Sequence, residues 1–244
     1  MRQVAALPGR NSVVLSTPSF YEPLESGQHF PQQMATPHPD HYAKEYRRWR
    51  WLVPEAFNIA HACAHRWQAD PSRAVRTAIA WEDETGLADR ISYADLSARV
   101  LRVASALAKL GIVSGDRVAI CLPQRIETAV SLLAVLHLGA VAVPLTLLFG
   151  PDALEYRLAH AECKLAICDA ASLGSVLSVR DKVPTLRTII ACAGATDPEA
   201  VNWNDLLASG GVSHPIVATR ADDAAMIIYT SGTTGPPKGA LIPH

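Results

Sequence analysis

The residues best suited to chemistry form one run near the end of the 244-residue chain, Thr230-Ser231-Gly232-Thr233-Thr234-Gly235-Pro236-Pro237-Lys238-Gly239. Four hydroxyl side chains, three glycines and one lysine lie within these ten residues. Glycine lets the backbone approach an anion and adopt positive φ, while backbone N–H groups and hydroxyls donate to phosphate oxygens. Lys238 adds a compact positive charge. The run therefore predicts a cradle for a polyphosphate.

The residues around this run predict where it lies. An apolar segment, residues 224–229, precedes it directly and is predicted to be a buried strand. In open α/β sheets, ligands bind beyond the carboxyl ends of the strands. A Walker-type loop has four residues between a glycine and Gly-Lys-Ser/Thr, whereas here Pro237 precedes Lys238 and Gly239 follows it. The alternatives are a P-loop NTPase and a glycine- and threonine-rich surface turn without a ligand.

The rest of the chain alternates helical and strand patterns. Ser92, with Asp95 three residues later, resembles a capping box and begins a helix whose apolar residues repeat at helical spacing. Further helices are predicted at residues 124–138, 150–160, 172–179 and 204–208, and strands at residues 117–122, 140–144, 165–168, 188–191 and 224–229. Short apolar strands alternating with helices predict an α/β fold with a mostly parallel, helix-covered sheet.

Residues 229–239, Tyr-Thr-Ser-Gly-Thr-Thr-Gly-Pro-Pro-Lys-Gly, resemble the signature loop of the AMP-forming adenylate-forming enzymes. That superfamily includes acyl-CoA synthetases, luciferases and the adenylation domains of peptide synthetases. The resemblance covers about residues 51–244 and is supported by residues 115–120, 139–145 and 222–223. Residues 51–60 and 149–158 look like the acetyl- and medium-chain acyl-CoA synthetase branch.

This resemblance implies a two-step reaction. A carboxylate attacks the α-phosphorus of ATP and expels pyrophosphate, and the thiol of CoA then takes the acyl group and releases AMP. Lys238 is implied as the catalytic residue, because it would offset the charge that develops on the leaving pyrophosphate. The implied ATP-binding residues are Thr230, Ser231, Gly232, Thr233, Thr234, Gly235 and Lys238. Mg²⁺ is the implied cofactor, with no metal ligand assigned in this chain, and His244 is expected to hold position rather than to catalyse.

The resemblance also implies a domain organisation. Residues 46–244 would be the front part of an AMP-binding adenylation domain that is incomplete after the phosphate loop, and residues 1–45 an extended or disordered arm. The full-length protein would convert a short- or medium-chain fatty acid into its acyl-adenylate and then its acyl-CoA, with this chain carrying only the pyrophosphate-binding loop. The alternative is an inactive fragment, or half of a split enzyme, that binds nucleotide or a complementing C-terminal half.

Composition excludes several other classes. The 22 basic and 23 acidic residues give a net charge of −1, which provides no general attraction to nucleic acid or anionic membranes. The basic aromatic run at residues 46–51 is short and isolated, so we interpret it as a helix start rather than an RNA-binding segment. Residues 128–149 carry no Asp, Glu, Lys or Arg, but Gly139 and Pro144 divide them into a helix and a strand rather than a membrane span.

The cysteines give the only indication of a compartment. Their count of five is odd and their spacing irregular, which predicts reduced thiols rather than a disulfide framework or a zinc site. The expected location is therefore the cytoplasm, or the mitochondrial matrix if the source is a eukaryote.

Overall fold

The computed structural model describes residues 41–49, 53–230 and 236–244, and the chain divides into two compact units, residues 1–51 and 52–244. The described part of the first unit holds helix α1 (Tyr42–Arg48). Residues 42–45 of the predicted extended or disordered arm are therefore helical, residues 1–40 lie outside the described residues, and the arm as a domain stays a prediction. The helix begins before the basic run because Glu45 stands in its first turn and Arg47 and Arg48 in its last, which suits the helix dipole.

The second unit contains the remaining helices and strands. A π-helical turn (His61–His65) runs into α2 (Arg66–Gln68), followed by α3 (Pro71–Ala74), α4 (Tyr93–Lys109), α5 (Ile126–His137), α6 (Pro151–His160), α7 (Leu173–Val179) and α8 (Trp203–Ser209). The strands are β1 (Thr77–Glu82), β2 (Ala88–Ser92), β3 (Arg117–Cys121), β4 (Val141–Pro144), β5 (Leu165–Cys168), β6 (Thr188–Ala191), β7 (Val201–Asn202), β8 (Ala224–Thr230) and β9 (Lys238–Pro243). A 3₁₀ turn, Arg180–Lys182, follows α7.

The strands form two sheets. β1 and β2 make an antiparallel hairpin, and the other seven strands form one sheet in the order β7-β6-β5-β3-β4-β8-β9. Every neighbouring pair in the larger sheet is parallel except β8 and β9. The predicted α/β class with a mostly parallel, helix-covered sheet is therefore confirmed.

The core lies on both faces of this larger sheet. Val118 and Ile120 of β3 pack with α4, α5 and α8, whereas Ala119 and Cys121 of the same strand pack with α6 and α7. A strand that is covered on both faces needs apolar residues at every position, which explains why the central strands read as continuous apolar runs. Cys121 is one of four buried free cysteines, with Cys163, Cys168 and Cys192, while Cys63 is exposed.

Local sequence signals account for the ends of the helices. Ser92 Oγ accepts a hydrogen bond from the Asp95 N–H at 3.1 Å, and the Asp95 carboxylate accepts one from the Ser92 N–H, so the predicted capping box is confirmed. Gly111 follows α4 with φ of 86°, the left-handed conformation that glycine adopts at little cost. The predicted capping and glycine signals thus set the bounds of the longest helix.

The uncharged residues 128–149 divide as the sequence predicts, into α5, a turn at Gly139 and β4. Throughout residues 41–49, 53–230 and 236–244, no helix has the length and apolar character needed to cross a membrane. Gly139 has φ of 64°, and a Cβ built there would lie 2.9 Å from Ser114 Oγ and 3.0 Å from Val217 Cγ1. The turn therefore requires glycine for both its backbone conformation and its space.

A chain of buried and half-buried polar groups links α4, the π-helical turn and α5. His65 Nδ1 lies 2.7 Å from Ser97 Oγ, His65 Nε2 lies 3.0 Å from His137 Nδ1, and His137 Nε2 lies 3.2 Å from the His214 carbonyl. Because a carbonyl only accepts, His137 Nε2 carries a proton and its Nδ1 accepts from His65. Burial, together with the nearby His65 and His214, lowers the pKa of His137 to about 4. Both histidines are thereby held neutral near pH 7.

We expect Gly139→Ala to destabilise the protein more than Gly86→Ala. Gly86 also has positive φ, at 82°, but a Cβ there meets nothing within 4 Å. Positive φ costs an alanine about 1–2 kcal/mol at either position, and steric crowding at Gly139 adds about 1–3 kcal/mol. Urea unfolding of the two variants measures the difference, and equal losses would contradict the packing described at Gly139.

We expect stability to fall as the pH is lowered from about 7 towards 4. An unfolded histidine takes up its proton near pH 6.5, whereas folded His137 stays neutral down to about pH 4, so the unfolded state binds more protons in this interval. His137→Gln removes this titration and should flatten the curve of unfolding free energy against pH. His41→Gln, outside the cluster, is the control, and an unchanged slope in His137→Gln would contradict the assignment.

Candidate phosphate-binding site

The chemically suggestive run lies in a β-hairpin formed by β8 and β9. Their antiparallel register sets Thr230 opposite Lys238 and Tyr229 opposite Gly239. The structure thus brings together two of the predicted ATP-binding residues, Thr230 and Lys238, at the base of the loop. The other five, Ser231, Gly232, Thr233, Thr234 and Gly235, lie outside the described residues.

The hairpin holds this base at the carboxyl edge of the sheet. β8 runs parallel to β4, with Met226 beside Ala142, so Thr230 lies at the same edge as the carboxyl ends of β3, β4 and β5. Strand order changes direction at β3, because β4 lies on one side of it and β5 on the other. Edges of this kind bind ligands in open α/β sheets, and the site lies on the edge that the sequence predicts.

The segment after the loop is a strand, which distinguishes it from a Walker-type loop. In a Walker loop the glycine-rich run leads into a helix, whose first N–H groups and dipole attract phosphate. Here Lys238 begins β9 directly. A phosphate bound at this site would therefore be held by loop N–H groups, hydroxyls and the lysine, without a helix dipole.

Gly239 is required by its cross-strand neighbour. A Cβ at Gly239 would lie 2.9 Å from Ile227 Cγ2 and 3.4 Å from the Tyr229 ring. Tyr229 therefore covers the backbone of its partner residue, an arrangement in which an aromatic ring shields a glycine in a neighbouring strand. The glycine that follows Lys238 thus has a packing role at the base of the loop.

Helix α6 contacts β8 and the residue that precedes β9, which sequence reasoning missed. Tyr156 Oη donates a hydrogen bond to the Pro237 carbonyl at 3.0 Å, and His160 Nδ1 lies 2.7 Å from Tyr229 Oη. Burial raises the pKa of Tyr229 to about 12, so its hydroxyl keeps its proton at neutral pH. Tyr156 and His160 are four residues apart and so share a face of the helix, but that spacing does not reveal what the face packs against.

Arg157 belongs to the same helix and is buried. Its guanidinium stacks 3.8 Å from the centre of the Phe149 ring and 5.6 Å from that of Tyr229, and Nη1 donates to the Ala153 carbonyl at 2.8 Å. Arg157 Nε has no hydrogen-bond partner among the described residues. Aromatic faces rather than a carboxylate therefore balance this charge, and they keep it beside the hairpin.

Comparison with known proteins identifies the family. A family model described as "AMP-binding enzyme" matches residues 65–244. The chain belongs to this family. The match includes the whole hairpin and the larger sheet.

Curated relatives of this AMP-binding chain include acyl-CoA ligases. An uncharacterized acyl-CoA ligase, YtcI, of Bacillus subtilis is 36% identical over 173 residues, covering 69% of this chain and 31% of the relative. The acetyl-coenzyme A synthetase of Mycolicibacterium smegmatis is 32% identical over 208 residues, covering 79% of this chain and 22% of the relative. The acetyl-coenzyme A synthetase of Streptomyces avermitilis is 32% identical over 210 residues, covering 79% of this chain and 32% of the relative. The chain thus spans about a third or less of the length of these relatives.

Solved structures share the fold of this AMP-binding chain. An anthranilate CoA ligase in complex with anthranoyl-AMP has a TM-score of 0.70 at 24% identity, with 78% of this chain and 35% of that one covered. An acyl-CoA synthetase of Brucella canis has a TM-score of 0.69 at 25% identity, with 82% of this chain and 36% of that one covered. The predicted resemblance to the acyl-CoA synthetase branch of the AMP-forming enzymes is confirmed.

Two features that the sequence linked to this AMP-binding family lie at the other end of the hairpin. His244 Nδ1 accepts a hydrogen bond from the Ile59 N–H at 3.2 Å, and the His244 N–H donates to the Asp223 carbonyl at 3.0 Å. Burial lowers the pKa of His244, which favours its neutral form as an acceptor. Asp222 pairs with Arg220 at 3.1 Å. These residues hold the start of β8 next to the end of β9, which agrees with a positional interpretation of His244.

Proposed function

We propose that this chain supplies the ATP-phosphate-binding part of an AMP-forming acyl-CoA synthetase. The observation that carries the proposal is the hairpin itself, with Thr230 opposite Lys238 at the carboxyl edge of a parallel sheet. Membership of the AMP-binding family and the acyl-CoA ligases among the relatives support it.

In this proposal the hairpin binds the β- and γ-phosphates of ATP. The hydroxyls of Thr230, Ser231, Thr233 and Thr234 donate to phosphate oxygens, while Gly232 and Gly235 let the backbone come close. Lys238 is exposed and begins the strand after the loop. Its ammonium group offsets the negative charge that collects on pyrophosphate as the carboxylate attacks the α-phosphorus. Charge stabilisation of this kind is commonly the largest single contribution to catalysis.

Mg²⁺ fits this arrangement as an ion carried by the nucleotide. Mg²⁺ keeps several waters and binds substrate phosphates together with few protein oxygens. Thr230 offers a hydroxyl oxygen at the loop base, and the described residues hold no group of three His, Cys, Asp or Glu side chains placed for a metal. When bound, the ion would neutralise phosphate charge, and Lys238 and the loop donors would orient the phosphates.

The proposed substrates are ATP, a carboxylic acid and CoA. Acetyl-CoA synthetases among the relatives favour a short- or medium-chain fatty acid, which would be converted into its acyl-adenylate and then into its acyl-CoA. The buried reduced cysteines agree with the proposed cytoplasmic location.

A second candidate is an interaction module that pairs with a separate C-terminal half. It rests on the apolar side chains that β9 exposes, since Leu241 is 62% exposed and Ile242 is 40% exposed on an edge strand. Co-purification with a chain that carries the other motifs of the family would favour this candidate. A monodisperse monomer without a partner would contradict it.

We expect the 244-residue chain alone to show no carboxylate-dependent exchange of labelled pyrophosphate into ATP. The chain covers 31% of the Bacillus subtilis relative and 22% of the Mycolicibacterium smegmatis relative, so most of each of these two proteins lies outside the match. A protein in which this chain is joined to the remaining part of its relatives' length should exchange pyrophosphate and release AMP only when acid is added. Exchange by the chain alone that disappears in Lys238→Ala would contradict this expectation. Release of ADP without any acid would instead favour a P-loop NTPase.

We expect Lys238→Ala to weaken the binding of Mg·pyrophosphate to the chain by about ten- to a hundredfold. Hydrogen bonds to charged groups contribute roughly 1.5–3 kcal/mol, and 1.4 kcal/mol corresponds to a factor of ten. Lys182→Ala is the matched control, because Lys182 is an exposed lysine paired with Glu155 at 2.9 Å. Calorimetry measures both affinities, and equal affinities in the two variants would contradict the role of Lys238.

A further inference from the structure

One helix binds the chain on both sides of the phosphate loop. Tyr156 Oη donates to the Pro237 carbonyl after the loop, and His160 lies at hydrogen-bond distance from Tyr229 Oη before it. The two α6 side chains are themselves stacked, with ring centres 5.5 Å apart and an angle of 21° between their planes. The separation of the two ends of the loop is therefore set by α6 as well as by strand pairing.

The hydrogen bond from Tyr156 restrains the backbone next to Lys238, the catalytic residue of the proposed function. The Pro237 carbonyl belongs to the peptide group that joins Pro237 to Lys238, so this bond fixes the plane from which the Lys238 side chain starts. We propose that Tyr156 is a positioning residue for Lys238, holding its backbone so that the ammonium group meets the departing pyrophosphate. This inference rests on the proposed function and names a residue outside the signature loop.

The chemistry of the segment makes such a restraint effective. Proline has a fixed φ, so Pro236 and Pro237 form a stiff connection before Lys238. The Pro237 carbonyl accepts the hydrogen bond from Tyr156. Lys238 then enters β9, where it pairs with Thr230. Few freely rotating backbone bonds separate the Pro237 carbonyl from Lys238. A hydrogen bond that fixes this carbonyl therefore also restricts the backbone of Lys238.

The strand before the loop is restrained by the same helix. Tyr229 Oη lies 2.7 Å from His160 Nδ1 and 3.3 Å from the Arg157 carbonyl, and the Arg157 guanidinium holds Phe149 and Tyr229 at its two sides. Tyr229 in turn covers Gly239, the residue after Lys238. Lys238 thus lies between two backbone positions, Pro237 and Gly239, that α6 fixes directly or through Tyr229.

Tyr156→Phe tests the inference because it removes the hydroxyl and leaves the ring stacked on His160. Tyr93→Phe is the matched control, since Tyr93 lies in α4, on the opposite face of the sheet, and its ring is tilted against that of Trp67 with ring centres 5.7 Å apart. A net hydrogen bond of ordinary strength corresponds to about a two- to tenfold effect. We expect Tyr156→Phe to weaken Mg·pyrophosphate binding to the full chain by this factor, and Tyr93→Phe to leave it unchanged.

A double-mutant cycle separates positioning from general loosening. If Tyr156 acts through Lys238, the loss caused by Tyr156→Phe should disappear in the Lys238→Ala background. A loss of equal size in both backgrounds would overturn the inference. Equal affinities of Tyr156→Phe and wild type would also overturn it.

A second measurement does not depend on ligand binding. Hydrogen exchange of the amides in residues 238–242 should be faster in Tyr156→Phe than in wild type and unchanged in Tyr93→Phe. If wild type fails to bind Mg·pyrophosphate, the proposed phosphate site fails, and the exchange rates still decide whether Tyr156 restrains the backbone at Lys238. Unchanged exchange in Tyr156→Phe would reject that restraint.

Discussion

The burial of one parallel sheet on both faces is the constraint on which the rest of this molecule depends. Parallel neighbours must be joined by crossovers, and helices in those crossovers cover the two faces. β3, β4 and β5 are accordingly followed by α5, α6 and α7, which pack on both sides. Since these strands and β8 point the same way, their carboxyl ends share one edge, and the position of the proposed phosphate site follows from this arrangement.

The hairpin of β8 and β9 departs from this parallel pattern at the predicted phosphate loop. β9 turns back beside β8 instead of crossing over, so the loop is tethered at two adjacent backbone positions, Thr230 and Lys238. α6 belongs to the layer that covers the sheet, and it also contacts the hairpin through Tyr156 and His160. The apolar residues of α6 therefore pack in the core, and its polar residues contact the hairpin of the proposed site.

Much of the larger sheet could be predicted from the sequence, because its strands are apolar throughout and glycines, prolines and a capping box mark the helix ends. The β1–β2 hairpin was missed because its exposed residues interrupt the apolar pattern, and β7 because it has only two residues. The loop motif pointed to Thr230 and Lys238 directly. The contacts of Tyr156 and His160 could not be predicted, because they depend on which strand α6 lies beside, and that follows from the sheet order rather than from local spacing.

The edge position of the hairpin has a thermodynamic consequence. Every residue of β9 is exposed, whereas β3 is buried in the centre of the sheet. Separating β9 from β8 therefore uncovers little apolar surface, while separating β3 from its neighbours uncovers the core. Free energies of local opening follow the surface that each segment buries. In the 244-residue chain, β9 is therefore expected to open at a lower free energy than the buried central strands, and the hydrogen bond from Tyr156 to the Pro237 carbonyl opposes that opening.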